Sequence, residues 1–167
     1  MTISVLLDTG FLISLVDRNR PNHKTAGQYY KFLVEQRSAI YLSAIVASEF
    51  AIKQPITDLP LKNFRILPFN ITHSIESARL SNLLGPKDAG DNRAVVREDV
   101  KIMAQASHEN IQFILTEDGS TLFKYCERLQ KARNFNVRAI KLADGFDPSL
   151  LRIDGQKSIF SVTDEED

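Results

Sequence analysis

Five short apolar runs recur along the chain, and each of the first four is followed by a stretch of helical character. Ile3-Ser4-Val5-Leu6-Leu7, Ala39–Leu42, Arg65–Phe69, Phe113–Thr116 and Val137–Lys141 read as strands. Strands that alternate with helices must be joined by crossovers, so they pair in parallel beneath helices. The expected helices cover Phe11–Val16, Asn22 (as N-cap) to Arg37, a stretch capped by Ser43, Thr72 (as N-cap) to Leu84, Val95–His108 and Leu122–Lys131. Pro68 has no amide hydrogen to give a ladder, which puts the third strand at a sheet edge. Pro55 and Pro60 bracket a turn-rich segment with no assignable element, and Gly85–Asn92 is a loop. The result is one doubly wound α/β domain. It spans residues 1–142, and 143–167 is a C-terminal extension. Asp164, Glu165, Glu166 and Asp167 close that extension as a solvated, disordered end.

A chain of 167 residues with 43% hydrophobic content can bury the core of one domain. Its 21 basic and 21 acidic residues cancel, so no net field steers it to nucleic acid or lipid, and local patches must decide. The single cysteine, Cys126, lies in an apolar-periodic stretch and reads as a small core residue. Asp8 cuts the first apolar run short, and no apolar run approaches the ~20 residues that span a bilayer. A soluble, cytoplasmic protein is expected, with no membrane partner. The dispersed His23, His73 and His108 read as surface residues.

Four carboxylates stand where apolar side chains would be expected. Asp8 directly follows the first strand and Asp118 the fourth, at the sheet end where open parallel sheets bind ligands. Each has a plain alternative as a helix N-cap. Glu49 shares a helical stripe with Ile45 and Val46, and Asp99 shares one with Val96 and Met103. Singly, each could sit at the margin of its stripe and reach solvent. Jointly they imply compensation, because unpaired buried carboxylates are costly, and a divalent cation supplies it. Oxygen donors without clustered His or Cys suit Mg²⁺ or Mn²⁺ rather than Zn²⁺.

These residues resemble the PIN domain family, the PilT N-terminus group that includes VapC-like ribonucleases. Val5-Leu6-Leu7-Asp8-Thr9-Gly10 is similar to the family's opening strand ending in Asp-Thr or Asp-Ser. Ser43-Ala44-Ile45-Val46-Ala47-Ser48-Glu49 is similar to its capped helix carrying a Glu. Glu98-Asp99-Val100-Lys101-Ile102-Met103-Ala104 and Ile114-Leu115-Thr116-Glu117-Asp118 resemble the third and fourth motifs. The resemblance runs in order over residues 3 to 141. It implies a three-layer fold with a parallel five-stranded sheet in the order 3-2-1-4-5, flanked by helices. It also implies a metal-dependent ribonuclease with Asp8, Glu49, Asp99 and Asp118 as its acidic quartet. Asp8, Asp99 and Asp118 would ligate metal directly, with Thr9 and Thr116 as supporting hydroxyls. RNA as substrate, a small antitoxin and a homodimer are the partners it implies. Glu98, Asp88 and Asp91 are neighbouring acids, and Asp99 is preferred because it leads directly into Ile102-Met103-Ala104.

Arg18, Arg20 and Lys24, with Lys124 and Arg128, are candidate phosphate contacts, each equally readable as a solvated helix face. Two rival readings accompany the nuclease. One is a PIN-like RNA- or protein-binding module without catalysis. The other is a haloacid-dehalogenase-like phosphatase, which wants a second Asp where Gly10 stands. A nucleotide loop of the G-x-x-x-x-G-K-[ST] type is absent from the sequence.

Overall fold

The computed structural model describes residues 2–132 and 134–152. Arg133, the acidic end and most of the expected extension lie outside the described residues. Five strands, β1 (Ser4–Leu7), β2 (Ala39–Ser43), β3 (Arg65–Leu67), β4 (Phe113–Thr116) and β5 (Arg138–Lys141), form one sheet. Every pairing is parallel, and the order is β3-β2-β1-β4-β5. Six helices cover it: α1 (Thr9–Val16), α2 (His23–Glu35), α3 (Ala44–Lys53), α4 (Ile71–Leu84), α5 (Arg93–His108) and α6 (Leu122–Gln130).

β1 is the central strand. Val5 stands opposite Ile40 on one side and Phe113 on the other. Val5, Leu6 and Leu7 are all buried, because helices cover both faces and leave no position for a polar side chain. Phe11, Tyr29, Phe50, Phe113 and Tyr125 fill the space between sheet and helices. Each such side chain contributes roughly 2–3 kcal/mol on leaving water. Cys126 is fully buried, and burial pushes its thiol up to about 12, the behaviour of a core residue.

Several boundaries differ from the sequence expectation for local reasons. β3 ends at Leu67, before Pro68, and Gln105 Nε2 donates to the carbonyls of Leu67 at 3.4 Å and Pro68 at 3.1 Å. Asn70, not Thr72, caps α4: its Oδ1 accepts from the His73 amide at 3.2 Å, and His73 Nδ1 accepts from the Asn70 amide at 3.1 Å. That reciprocal box buries His73, contrary to its reading as a surface residue. α5 starts at Arg93, two residues earlier than expected, because Asn92 Oδ1 accepts from the Ala94 amide at 2.9 Å. α2 stops at Glu35, and Arg37 beyond it turns left-handed at φ 52. The Pro55–Pro60 segment contains a short 3-10 turn at Ile56–Asp58, and a second, Leu61–Asn63, follows Pro60.

Beyond β5 the chain folds back in two further 3-10 turns, Leu142–Asp144 and Pro148–Leu151. Gly145 reverses its direction at φ 86. The Tyr29 hydroxyl donates to Gly145 O at 3.2 Å and accepts from the Asp147 amide at 3.1 Å. Phe146 meets the Tyr29 ring edge-on at 4.9 Å, and Leu151 is buried. Among the described residues no helix is long and apolar enough to cross a membrane.

Candidate active site

β1 and β4 lie side by side, so the residues that follow them emerge together. The Asp8 amide donates to Leu115 O at 3.1 Å, which extends the ladder one residue past β1. Asp8 Oδ1 accepts from the Phe11 amide at 2.9 Å and caps α1. Its Oδ2 accepts from the Thr116 hydroxyl, which in turn accepts from the Asp118 amide at 2.8 Å. The cap and site readings of Asp8 are therefore compatible, since one oxygen serves each.

Asp118 also does two things. Its Oδ1 accepts from the Ser120 amide at 2.6 Å, the Ser120 hydroxyl at 2.7 Å and the Thr121 amide at 3.1 Å. This turn leads into α6 and fixes the carboxylate beside β1. Oδ2 accepts from the Thr121 hydroxyl. The same hydroxyl lies 2.6 Å from Asp99 Oδ2, which α5 delivers to the site. Asp99 is the seventh residue of its helix, not its opening residue, and it is buried. Glu49 comes from α3, half-buried, and its Oε2 accepts from the Thr9 hydroxyl. The structure thus gathers Asp8, Glu49, Asp99 and Asp118 with a threonine against each. Thr9 donates to Glu49 and Thr116 to Asp8.

The electrostatics separate the four. Burial pushes Asp8 up to about 6, against the hydrogen bonds from Thr116 and the Phe11 amide, with the Asp118 and Glu117 charges adding to the rise. Burial likewise takes Asp99 to about 7, against Thr121 and aided by the charges of Asp118, Asp8 and Glu49. Burial would also raise Asp118, but the Thr121 and Ser120 hydrogen bonds outweigh it and hold the carboxyl at about 2. Among the described residues no Lys, Arg or His pairs with any of the four. Buried carboxylates raised this far, with only hydroxyls and amides for company, lack positive charge. The donor set is all oxygen, and it fits a hard divalent cation.

The sequence matches the PIN domain family over residues 5–126. The chain belongs to the PIN domain family. Solved structures of the same fold include VapBC2 from Rickettsia felis bound to a DNA fragment from its promoter. That structure has TM-score 0.55 and 16% identity, covering 81% of this chain and 97% of the other. VapC20 of Mycobacterium tuberculosis, a Sarcin-Ricin loop cleaving toxin, aligns at TM-score 0.53 and 16% identity, over 70% of this chain and 92% of the other. A toxin–antitoxin complex from Klebsiella pneumoniae aligns at TM-score 0.51 and 17% identity, over 83% and 98%. At these identities the likeness is one of fold. A sequence search of curated proteins found no match.

Three residues at the centre of this PIN domain escape a reading from sequence. Thr121 carries the ordinary signal of a residue before a helix, and its bond to Asp99 spans 22 positions. Glu117 accepts from Ser14 at 2.9 Å, Asn22 at 3.0 Å and Arg20 at 2.5 Å, tying the region after α1 to the end of β4. Asn22 thereby spends its side chain on Glu117 and makes no cap bond to α2. Gly10 is required where α1 passes Glu117: an added Cβ would stand 2.9 Å from Glu117 Cβ and 3.6 Å from Asp8 Oδ1.

The basic candidates are divided by their partners. Arg20 is engaged by Glu117. Lys124 holds Asp91 at 2.6 Å and Asp88 at 3.1 Å, and Arg128 holds Asp88 at 2.9 Å, so both pin the 85–92 loop to α6. That pairing also removes Asp88 and Asp91 from the site. Arg18 and Lys24 are exposed and make no ion pair among the described residues.

Nitrogen ligands lie elsewhere in the PIN domain. Among the described residues, the one set of three His, Cys, Asp or Glu whose ligand atoms lie within 4.8 Å of one another is His73, His108 and Glu109. No three of the quartet's carboxylates meet that spacing, as befits like charges without a cationic side chain among them. Glu109 follows Asp99 by ten residues on and just past α5, about 15 Å along the axis. Because His73 Nδ1 accepts from the Asn70 amide, Nε2 carries the ring proton and donates to Glu109 Oε1 at 2.8 Å. A metal ion needs the opposite tautomer, so this cluster is a hydrogen-bonded cap.

Proposed function

We propose that this PIN domain is a Mg²⁺- or Mn²⁺-dependent endoribonuclease that hydrolyses RNA phosphodiester bonds. The observation that carries the reading is the convergence of four carboxylates at the ends of β1 and β4, two of them buried and raised, with no cationic partner among the described residues. Asp8, Asp99 and Asp118 would hold the cation, with Glu49 on a metal or on water. A bound divalent ion would supply an activated water and neutralise charge on the scissile phosphate. Thr116 and Thr121 orient Asp8, Asp99 and Asp118. Asp118, held at about 2, stays ionised at every physiological pH. Asp99 exchanges its proton near neutrality.

The toxin half of a cytoplasmic toxin–antitoxin pair is the biological setting we propose. It is supported by the shared fold with VapC20 and with the Klebsiella pneumoniae complex. A homodimer is supported by the exposed apolar side chains of Ile71 and Ile75 on α4 and Ile52 on α3, which are 76%, 66% and 85% exposed.

The deciding experiment is cleavage of a mixed structured RNA pool, with Mn²⁺, Mg²⁺ or chelator, beside Asp8→Asn. Asparagine retains the cap to Phe11 and removes the charge. Cleavage that needs metal and is lost in the folded variant supports the reading. Folded wild-type protein that binds Mn²⁺ and cuts nothing points to the binding module instead.

A further inference from the structure

We infer that Arg20 is a phosphate-binding residue of the active site: Glu117 holds its guanidinium beside Asp8, and the donors left over take a backbone phosphate of the RNA strand. The inference rests on the ribonuclease reading and names the side chain that seats its substrate. Arg20 Nη2 donates to Glu117 Oε2 at 2.5 Å. The same Oε2 lies 3.3 Å from the point where a Cβ on Gly10 would stand, and Asp8 Oδ1 lies 3.6 Å from that point. The Glu117 charge is felt at Asp8, where it adds to the rise of that carboxyl. Arg20, Glu117 and Asp8 are thus successive neighbours around the first turn of α1.

The ion pair does little for the fold. Glu117 Oε1 accepts from Ser14 at 2.9 Å and from Asn22 at 3.0 Å, and these two bonds already tie α1 and the start of α2 to the end of β4. The Arg20 side chain is 41% exposed, and an exposed ion pair adds little stability. The backbone nonetheless fixes where the arginine starts. The Arg20 amide donates to Asp17 O at 3.1 Å, its carbonyl accepts from the His23 amide at 3.1 Å, and Pro21 stiffens the turn between them.

A guanidinium presents five N–H donors in a rigid plane, and among the described residues Glu117 takes only one of them. Phosphate accepts two parallel N–H bonds from such a fork, where a lysine offers a point charge. Arg20 can therefore keep Glu117 and bind phosphate at once. The segment 17–24 carries Arg18, Arg20 and Lys24 against Asp17 alone, so the approach to Arg20 favours a polyanion.

The test pairs substitutions in the full chain with substitutions in the RNA. Fluorescence anisotropy reads binding of a labelled single strand of about ten nucleotides, with Ca²⁺ as a hard cation in place of Mn²⁺. The proteins are wild type, Arg20→Ala, Arg20→Lys and Lys31→Ala, the last an exposed charge control on α2. Single phosphates of the strand are replaced in turn by neutral methylphosphonate. Arg20→Ala should bind about tenfold more weakly, with a log K against log salt slope shallower by about 0.7, and Lys31→Ala should bind as wild type. At one linkage methylphosphonate should weaken wild type about tenfold and leave Arg20→Ala unchanged, because both changes remove the same contact. Arg20→Lys keeps a charge for Glu117, and hence the fold, and should lose that coupling too. A purely structural Arg20 gives additive losses at every linkage. Additive losses, wild-type-like binding by Arg20→Ala, or no RNA binding by wild type overturns the inference. Coupling to an RNA that Mn²⁺ never causes to be cut upholds the contact and removes the nuclease reading. Metal-dependent cutting with additive losses does the reverse.

Discussion

Thr121, at the foot of α6, places one hydroxyl between two carboxylates, 2.6 Å from Asp99 Oδ2 and in contact with Asp118 Oδ2. A hydroxyl has a single proton, so both contacts are hydrogen bonds only when one acid carries a second. Asp99, pushed up to about 7, is that acid, and Asp118 at about 2 is not. Thr121→Val retains the branched shape and removes the donor. We expect RNA cleavage to fall about ten- to a hundredfold and the pH–rate profile to shift. Thr121→Ser should restore both. An unshifted profile in the valine variant would make Thr121 a packing residue only.

Metal-free protein should lose stability as pH rises through neutrality. Asp8 and Asp99 hold protons more tightly folded than unfolded, since their values rise from 3.8 to about 6 and about 7. The stability that protonation confers is complete below about pH 4 and is lost through about pH 6–7, on the order of 3 kcal/mol per group. Asp118 acts oppositely, but only below about pH 4. Melting in chelator should therefore occur at a lower temperature at about pH 7.5 than at about pH 5, and Mn²⁺ at the higher pH should reverse the loss. A melting temperature that rises over this interval would contradict the raised values.

Gly10→Ala should damage both fold and site. The new methyl would stand 2.9 Å from Glu117 Cβ, a contact with a rigid part of that side chain, so α1 or the end of β4 must move. The expected loss is about 1–3 kcal/mol in urea unfolding, with reduced cleavage in the fraction that folds. Stability equal to wild type would show that the two segments slide freely.

Gln105 is a buried amide on α5 that ties together the ends of β2 and β3. It accepts from Ser43 Oγ at 2.5 Å and donates to the carbonyls at the end of β3. Gln105→Leu keeps the bulk and strands those groups, at a cost of about 1–3 kcal/mol. Hydrogen exchange should accelerate around β3 and the start of α4 more than in β1. Uniform acceleration would place Gln105 in the global core instead.

The central strands were legible because a strand buried on both faces must be apolar throughout, as Val5-Leu6-Leu7 and Phe113–Thr116 largely are. Asp8 and Asp118 stood out because a carboxylate ends each of those runs. The caps were harder. Asn70 and Thr72 carry equivalent local signals, and only the reciprocal bond to His73 separates them. That bond also explains why a histidine in a polar stretch is buried. Thr121, Glu117 and the Lys124–Asp91 and Arg128–Asp88 pairs depend on partners 22 to 103 positions away. Nothing in the local pattern of a hydroxyl or a lysine reports such a partner.

The bond between Thr116 and Asp8 joins positions 108 apart, and that between Ser43 and Gln105 joins positions 62 apart. Synthesis makes β1 well before β4, so Asp8 emerges from translation with neither its hydroxyl donor nor its neighbouring acids. β1 waits at the centre of the sheet for a strand made a hundred residues later. A growing chain therefore has no assembled quartet until β4 and Thr121 have been added. Whatever chemistry these acids perform waits until synthesis has passed Thr121.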